Sequence, residues 1–220
     1  MPIPAKYLAD FDEHGIYHIY NRTNNQEKLF LSDENRYFFL KRYKEYLSLY
    51  LDTFCWCLLP NHFHFLIRVI SLKDITAAIQ NKPFSDRSLT EKRFLEKEIT
   101  LSELIEQGFK RFFQSYSLAF NKMYTRKGNL FYKPFKRVAI DKQSHFTQAI
   151  IYIHASPVKH GICKDFTTYE WSSWRSLLSG RETNLLRDEV LNWFGDKARF
   201  INAHQEMIEY YIESDISIED

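Results

Sequence analysis

A chain of 220 residues with a net charge of +2 is long enough for one well-buried domain with an elaboration, or two small domains at most. Its 45% apolar and 26% charged residues are ordinary for a globular protein, whereas aromatics reach 17%, with 19 Phe and 14 Tyr. No run of about 18 apolar residues occurs, Met1 to Lys6 leads into no apolar signal segment, and the three cysteines are an odd number; these features exclude a membrane span and a disulfide framework and predict a cytoplasmic, reduced protein.

Gly15 to Tyr20 is a β-branched and aromatic run that predicts a strand. Asp33 is placed to cap a helix from Glu34 to about Tyr50, whose apolar residues recur at helical spacing. Thr53–Leu59 and His62–Val69 are apolar runs separated by Pro60-Asn61, which predicts a β-hairpin. Cys55 and Cys57 lie in the first of them and read as small buried hydrophobes, since no second Cys pair completes a zinc site. Residues 71–100 are more polar and read as a helical insertion. From Leu101 to Tyr124 runs the clearest helix, with Ile105, Phe109, Phe112, Tyr116, Phe120 and Met123 on one apolar stripe. Lys136–Ile140 predicts a further strand. Ser144 is placed to cap a helix that Pro157 would stop at about Ala155. Alternation of single helices with strands and a hairpin indicates an α+β fold, an antiparallel sheet with helices packed against it. Residues 1–180 then form the main domain and 181–220 an acidic, helical C-terminal extension.

Charge is unevenly spread. Nine Lys and Arg and one acid, Asp141, lie between Lys110 and Lys142, while ten acids and three bases lie between Glu182 and Asp220. A basic stretch interleaved with aromatics suits a nucleic-acid backbone and its bases; a solvated face balanced by the acidic tail explains the charge equally well. One role for the tail is to cover that basic surface.

In the second hairpin strand side chains alternate, so Phe63, Phe65, Ile67 and Val69 share one face and His62, His64, Leu66 and Arg68 the other. Two imidazoles two residues apart converge on one point, which suits a divalent metal, and Arg68 on the same face could meet a phosphate; an isolated His-x-His is also common without a ligand. A metal with two protein ligands stays open to a phosphodiester. The helix carrying Tyr116 could offer a nucleophile, although a tyrosine on an apolar stripe is usually a core residue.

Five blocks in chain order carry a resemblance: Tyr17–Asn25 (YHIYNRTNN); Leu59–His64 (LPNHFH); Ser115–Asn121 (SYSLAFN); Gly128–Phe131 with Pro134–Arg137; and Tyr152–Val158 (YIHASPV) with Trp171–Trp174. Together they span about residues 14–178 and resemble the single-tyrosine HUH transposases of bacterial insertion sequences, in the branch of REP-associated tyrosine transposases. The resemblance implies a ferredoxin-like (RRM-like) palm. It implies that His62 and His64 bind Mg²⁺ or Mn²⁺, and that Tyr116 attacks a DNA phosphate to leave a 5′-phosphotyrosine and a free 3′-hydroxyl. The implied substrate is a single-stranded DNA hairpin or palindromic end. Relatives often place a polar third ligand one turn after the tyrosine; here that position is Phe120, so the third ligand is water or a side chain from elsewhere, such as His18. A free phenol with pKa about 10 also needs help to ionise, from Lys110, Arg111 or Lys122.

Asn21, Arg22, Arg68, Lys122, Arg126, Lys127, Lys133, Lys136 and Arg137 are the DNA-contacting candidates, with Phe131 and Tyr132 placed to stack bases. His154, before Ser156-Pro157 at a helix end, reads as structural. The sequence leaves open whether the site is built in one chain or across a homodimer. It also leaves two alternatives, a domesticated non-cutting binder of single-stranded nucleic acid and a metal-dependent hydrolase with no covalent step.

Overall fold

Alternation along His62–Val69 produces a strand with two buried faces, and the whole molecule is arranged around it. The structure, a computed structural model, describes residue 4 and residues 7–213. Strand β1 (Ile16–Arg22) is followed by helix α1 (Asp33–Leu47), strands β2 (Leu51–Leu58) and β3 (His62–Val69), and helices α2 (Leu72–Asn81), α3 (Leu89–Leu95) and α4 (Leu101–Met123). Strand β4 (Lys136–Ala139) leads into α5 (Gln143–Lys159), α6 (Trp174–Leu178), α7 (Arg187–Phe194) and α8 (Lys197–Glu213). The sheet order is β2-β3-β1-β4, and every neighbouring pair is antiparallel. This is the ferredoxin-like α+β arrangement. Helices α2 and α3, inserted between β3 and α4, account for residues 71–100.

Topology decides which helix covers which face. The connections β1–α1–β2 and β3–α4–β4 each return to a parallel strand across one intervening strand. Right-handed crossovers of that kind put α1 and α4 on the same face. There Tyr17, Ile19, Phe63, Phe65 and Ile67 of the sheet pack with Phe39 and Tyr43 of α1 and Phe109, Phe112 and Tyr116 of α4. Helix α5 follows the edge strand β4 and folds onto the other face. Cys55, Cys57 and Leu66 pack there with Ile150 and Ile153 of α5, and with Val190, Phe200 and Tyr211 of α7 and α8. Both Cys55 and Cys57 are free and fully buried.

Three features depart from the sequence reading, besides shifts of up to three residues at other element ends. Ser32, not Asp33, caps α1: its side chain accepts from the Asn35 backbone N–H, and Asn35 returns a bond to the Ser32 backbone. Lys142, not Ser144, is the N-cap of α5, and Pro157 lies inside that helix, which runs on to Lys159. Pro157 gives up the bond to the carbonyl four residues back and its ring crowds that carbonyl, while its own carbonyl still accepts from the Ile162 and Cys163 N–H groups. Third, the acidic tail packs on α5 rather than over the basic stretch, with α8 against α5 and α7. Its last residues, 214–220, lie outside the described residues. No helix among the described residues is long and apolar enough to cross a membrane.

Candidate active site

Strand register builds the site. His64 lies opposite Tyr20, and His62 opposite Arg22; across β1, Lys136 of β4 lies opposite Tyr20. All share the face that α5 covers. The His18, His64 and Tyr20 rings stack, with His18–Tyr20 centroids 4.8 Å and His18–His64 centroids 5.1 Å apart. His18 Nε2 lies 3.0 Å from His64 Nδ1, so one donates to the other. His62 Nδ1 donates to Asn61 Oδ1 at 2.6 Å, which leaves the His62 lone pair on Nε2. A neighbour on Nδ1 that fixes the ring is the usual support of a metal-ligating imidazole, so His62 and His64 fit a divalent cation as a pair. Among the described residues no group of three or more His, Cys, Asp or Glu is arranged to hold one. His18, suggested as a third ligand, supports His64 instead.

The tyrosine facing this site is Tyr152 of α5, not Tyr116. Tyr152 meets the His64 ring edge-on, with centroids 5.9 Å apart and planes at 90°, and meets His18 at 6.3 Å. Lys159 Nζ lies 5.4 Å from the Tyr152 ring centroid. His160, at the end of α5, meets His62 edge-on at 4.7 Å. Tyr116 lies on the opposite face, packed on Phe39 with centroids 5.0 Å apart, and its hydroxyl donates to the Leu29 carbonyl at 2.7 Å. Burial pushes its phenol well above the ordinary range. The structure thus joins His62 and His64 but leaves Tyr116 a core residue across the sheet. Phe120, one turn on, belongs to that same core, so its inability to bind metal has no bearing on the histidines. The residue one turn after Tyr152 is Ser156, whose hydroxyl donates to the Tyr152 carbonyl at 2.8 Å.

Two clefts, of about 130 and 430 Å³, meet at Arg22 and His62. Arg22, with its guanidinium 5.6 Å from the Tyr132 ring centroid, and Lys136 line the first; Lys28 and His160 line the second. Lys122, Lys127 and Lys133 are exposed at the end of α4 and in the loop beyond it. The other candidates have internal duties. Arg68 is held by Asp52 at 2.9 Å and Glu189 at 2.8 Å, so no phosphate is needed to satisfy it. Arg137 lies on the α4 face, where it bonds the Ala9 carbonyl and Glu106. Arg126 pairs with Glu27 at 2.6 Å and donates to the carbonyls of Lys127, Gly128 and Asn129, clamping the loop. Asn21 donates to the Tyr132 carbonyl at 3.0 Å. Phe131 is core, whereas Tyr132 is 40% exposed. His154, as expected, is structural: it is fully buried between His204 and Ser173. Sequence reasoning missed Tyr152, Lys159, His160 and Lys28, although Tyr152 opens one of the blocks that carry the resemblance.

The fold is thus a ferredoxin-like sheet with α5, backed by α7 and α8, laid over its histidine face. It is shared with a solved structure described as the REP associates tyrosine transposase bound to a REP hairpin: TM-score 0.54, 15% sequence identity, covering 84% of this chain and 90% of that one. At that identity the likeness is one of fold. No family model matches the chain, and no curated protein matches it.

Proposed function

We propose that this protein is a metal-dependent single-stranded DNA nicking and strand-transfer enzyme, acting through a 5′-phosphotyrosine on Tyr152. The observation that carries the reading is the meeting of His62, His64 and Tyr152 on one face of the sheet, beside clefts lined by Arg22, Lys28 and Lys136. The REP hairpin bound to the fold neighbour adds support for a nucleic-acid hairpin as the substrate class.

In this reading the phosphodiester enters between the histidine pair and Tyr152, held by the basic residues. His62 and His64 would hold a Mg²⁺ or Mn²⁺ ion, which would supply polarisation of the scissile phosphate. Tyr152 Oη attacks phosphorus, so the P–Oη bond forms as the P–O3′ bond breaks. The phenol loses its proton and the leaving 3′ oxygen takes one up, which yields a free 3′-hydroxyl and a 5′-phosphotyrosine. Attack by a 3′-hydroxyl on that linkage rejoins DNA and regenerates tyrosine without an external energy source. Partners beyond DNA, including a second copy of the chain, are not needed to complete the histidine–tyrosine arrangement.

A second reading has one observation behind it. Tyr152 is 1% exposed, and Tyr211 of α8 closes over its ring with centroids 5.8 Å apart. A tyrosine kept so covered suits a non-cutting DNA-binding protein. The deciding experiment is covalent trapping: labelled single-stranded hairpin DNA and Mn²⁺, denaturation, and a search for labelled protein. The enzyme reading expects an adduct that Tyr152→Phe and His64→Ala abolish and Tyr116→Phe retains. Hairpin binding without any adduct would favour the non-cutting protein, and cleavage without one a hydrolase.

A further inference from the structure

We propose that Lys159 is a catalytic residue whose ammonium holds a non-bridging oxygen of the phosphate that Tyr152 attacks. The proposal rests on the reading of Tyr152 as nucleophile. It starts from the continuation of α5 through Pro157. Had the helix stopped at Ala155, residues 159 and 160 would have left the site. Because it continues, Lys159 follows Tyr152 by seven residues, close to two turns, and falls on the same side of the helix. Its Nζ accordingly lies 5.4 Å from the Tyr152 ring centroid.

The same turn carries His160 against His62, with ring centroids 4.7 Å apart. Helix α5 therefore touches the histidine pair twice: Tyr152 meets His64, and His160 meets His62. Lys159 lies on the helix between these two contacts, nearer the second. A phosphate spanning the histidine pair and the Tyr152 hydroxyl would bring its non-bridging oxygens within reach of this flexible side chain. Those oxygens carry the charge that grows in phosphoryl transfer, and a preplaced cation stabilises it. Lysine suits the task as a point charge on a long stem.

Two plainer roles compete. A cation in the last helical turn offsets the carbonyl end of the helix dipole, and a lysine over an aromatic ring gains a cation–π contact. Both predict a change in folding stability that is indifferent to the charge on the scissile phosphate.

Hairpin binding is first measured against salt in a Tyr152→Phe background, with and without Lys159→Met; methionine keeps the apolar stem. Loss of one phosphate contact should reduce the slope of log K against log salt by about 0.7. A neutral methylphosphonate at the scissile position should erase that difference. With Tyr152 restored, Lys159→Met should slow adduct formation about 100-fold or more on the ordinary phosphate, Lys159→Arg should recover most of it, and the gap should collapse on the methylphosphonate. An unchanged salt slope together with a wild-type adduct rate would overturn the proposal, as would a defect equally large on the neutral substrate. If wild type forms no adduct with any hairpin, the reading of Tyr152 fails separately, and the salt slopes still decide whether Lys159 meets phosphate.

Discussion

Tyr116 and Tyr152 present the same chemical group from two faces of one sheet, and their surroundings separate them. Tyr116 is locked by the Leu29 carbonyl within an aromatic cluster. Tyr116→Phe keeps that packing and removes one buried hydrogen bond, so it should cost about 1 kcal/mol in denaturant unfolding and leave adduct formation intact. Loss of the adduct in a folded Tyr116→Phe protein would return the nucleophile to α4. Asn61 offers a second test. Its Oδ1 fixes the His62 ring through Nδ1, so Asn61→Ala should leave the fold intact and raise the Mn²⁺ concentration needed for half-maximal adduct about 10- to 100-fold. An unchanged Mn²⁺ titration would show that the His62 ring needs no such support.

At the level of elements, the extension beyond residue 184 is part of the second core. Val190 and Phe200 are fully buried there, and Tyr211 nearly so. Deleting residues 185–220 should therefore abolish cooperative unfolding, not unmask a DNA surface, and Phe200→Ala alone should cost about 3–5 kcal/mol in the same measurement. A soluble, cooperatively folding deletion variant would contradict this assignment. Much of the architecture was legible in the sequence: the β1 run, the hairpin around Pro60-Asn61, the face shared by His62 and His64, and the long helix α4. Which tyrosine faces the histidines was not. Helices α4 and α5 both turn a tyrosine toward the sheet, and helical periodicity cannot say which face of the sheet a helix covers. That follows from strand order, which puts both crossover helices on one side and leaves the histidine face to α5. Arg68 and Arg137 were misread for a related reason: their partners Glu189 and Glu106 come from distant segments.

Across the whole molecule, one buried polar relay ties the strand, α5 and α8 together. His204 Nδ1 lies 2.7 Å from the Phe200 carbonyl and must donate to it, which leaves Nε2 an acceptor. His154 Nδ1, at 2.9 Å, therefore donates to His204, and His154 Nε2 accepts from the Ser173 hydroxyl. Ser173 Oγ in turn accepts from the Trp56 N–H. With both histidines charged, the facing Nδ1 and Nε2 would each carry a proton and neither would have an acceptor. Burial holds His154 well below the ordinary imidazole range and, as the main cause, pushes His204 down to about 3. A histidine with a depressed folded pKa contributes its full stability above the unfolded value of 6.5 and loses it as pH falls toward the folded one. Glu27, Glu34, Glu91 and Glu103, all lowered from 4.5, add their losses only below that value. The window between pH 6.5 and 4.5 is therefore clear of these carboxylates, and comparison with a His204 variant separates this pair's share from that of the other histidines. Unfolding free energy should be nearly flat from pH 8 to 7, then fall by about 1.4 kcal/mol per histidine for each pH unit further down. His204→Gln should be less stable at pH 7.5, because it breaks the relay, and should show a shallower decline in the acid window. Equal wild-type stability at pH 7.5 and pH 5 would mean that the pair takes up protons in the folded state at little cost, and that the relay does not hold α8 to α5.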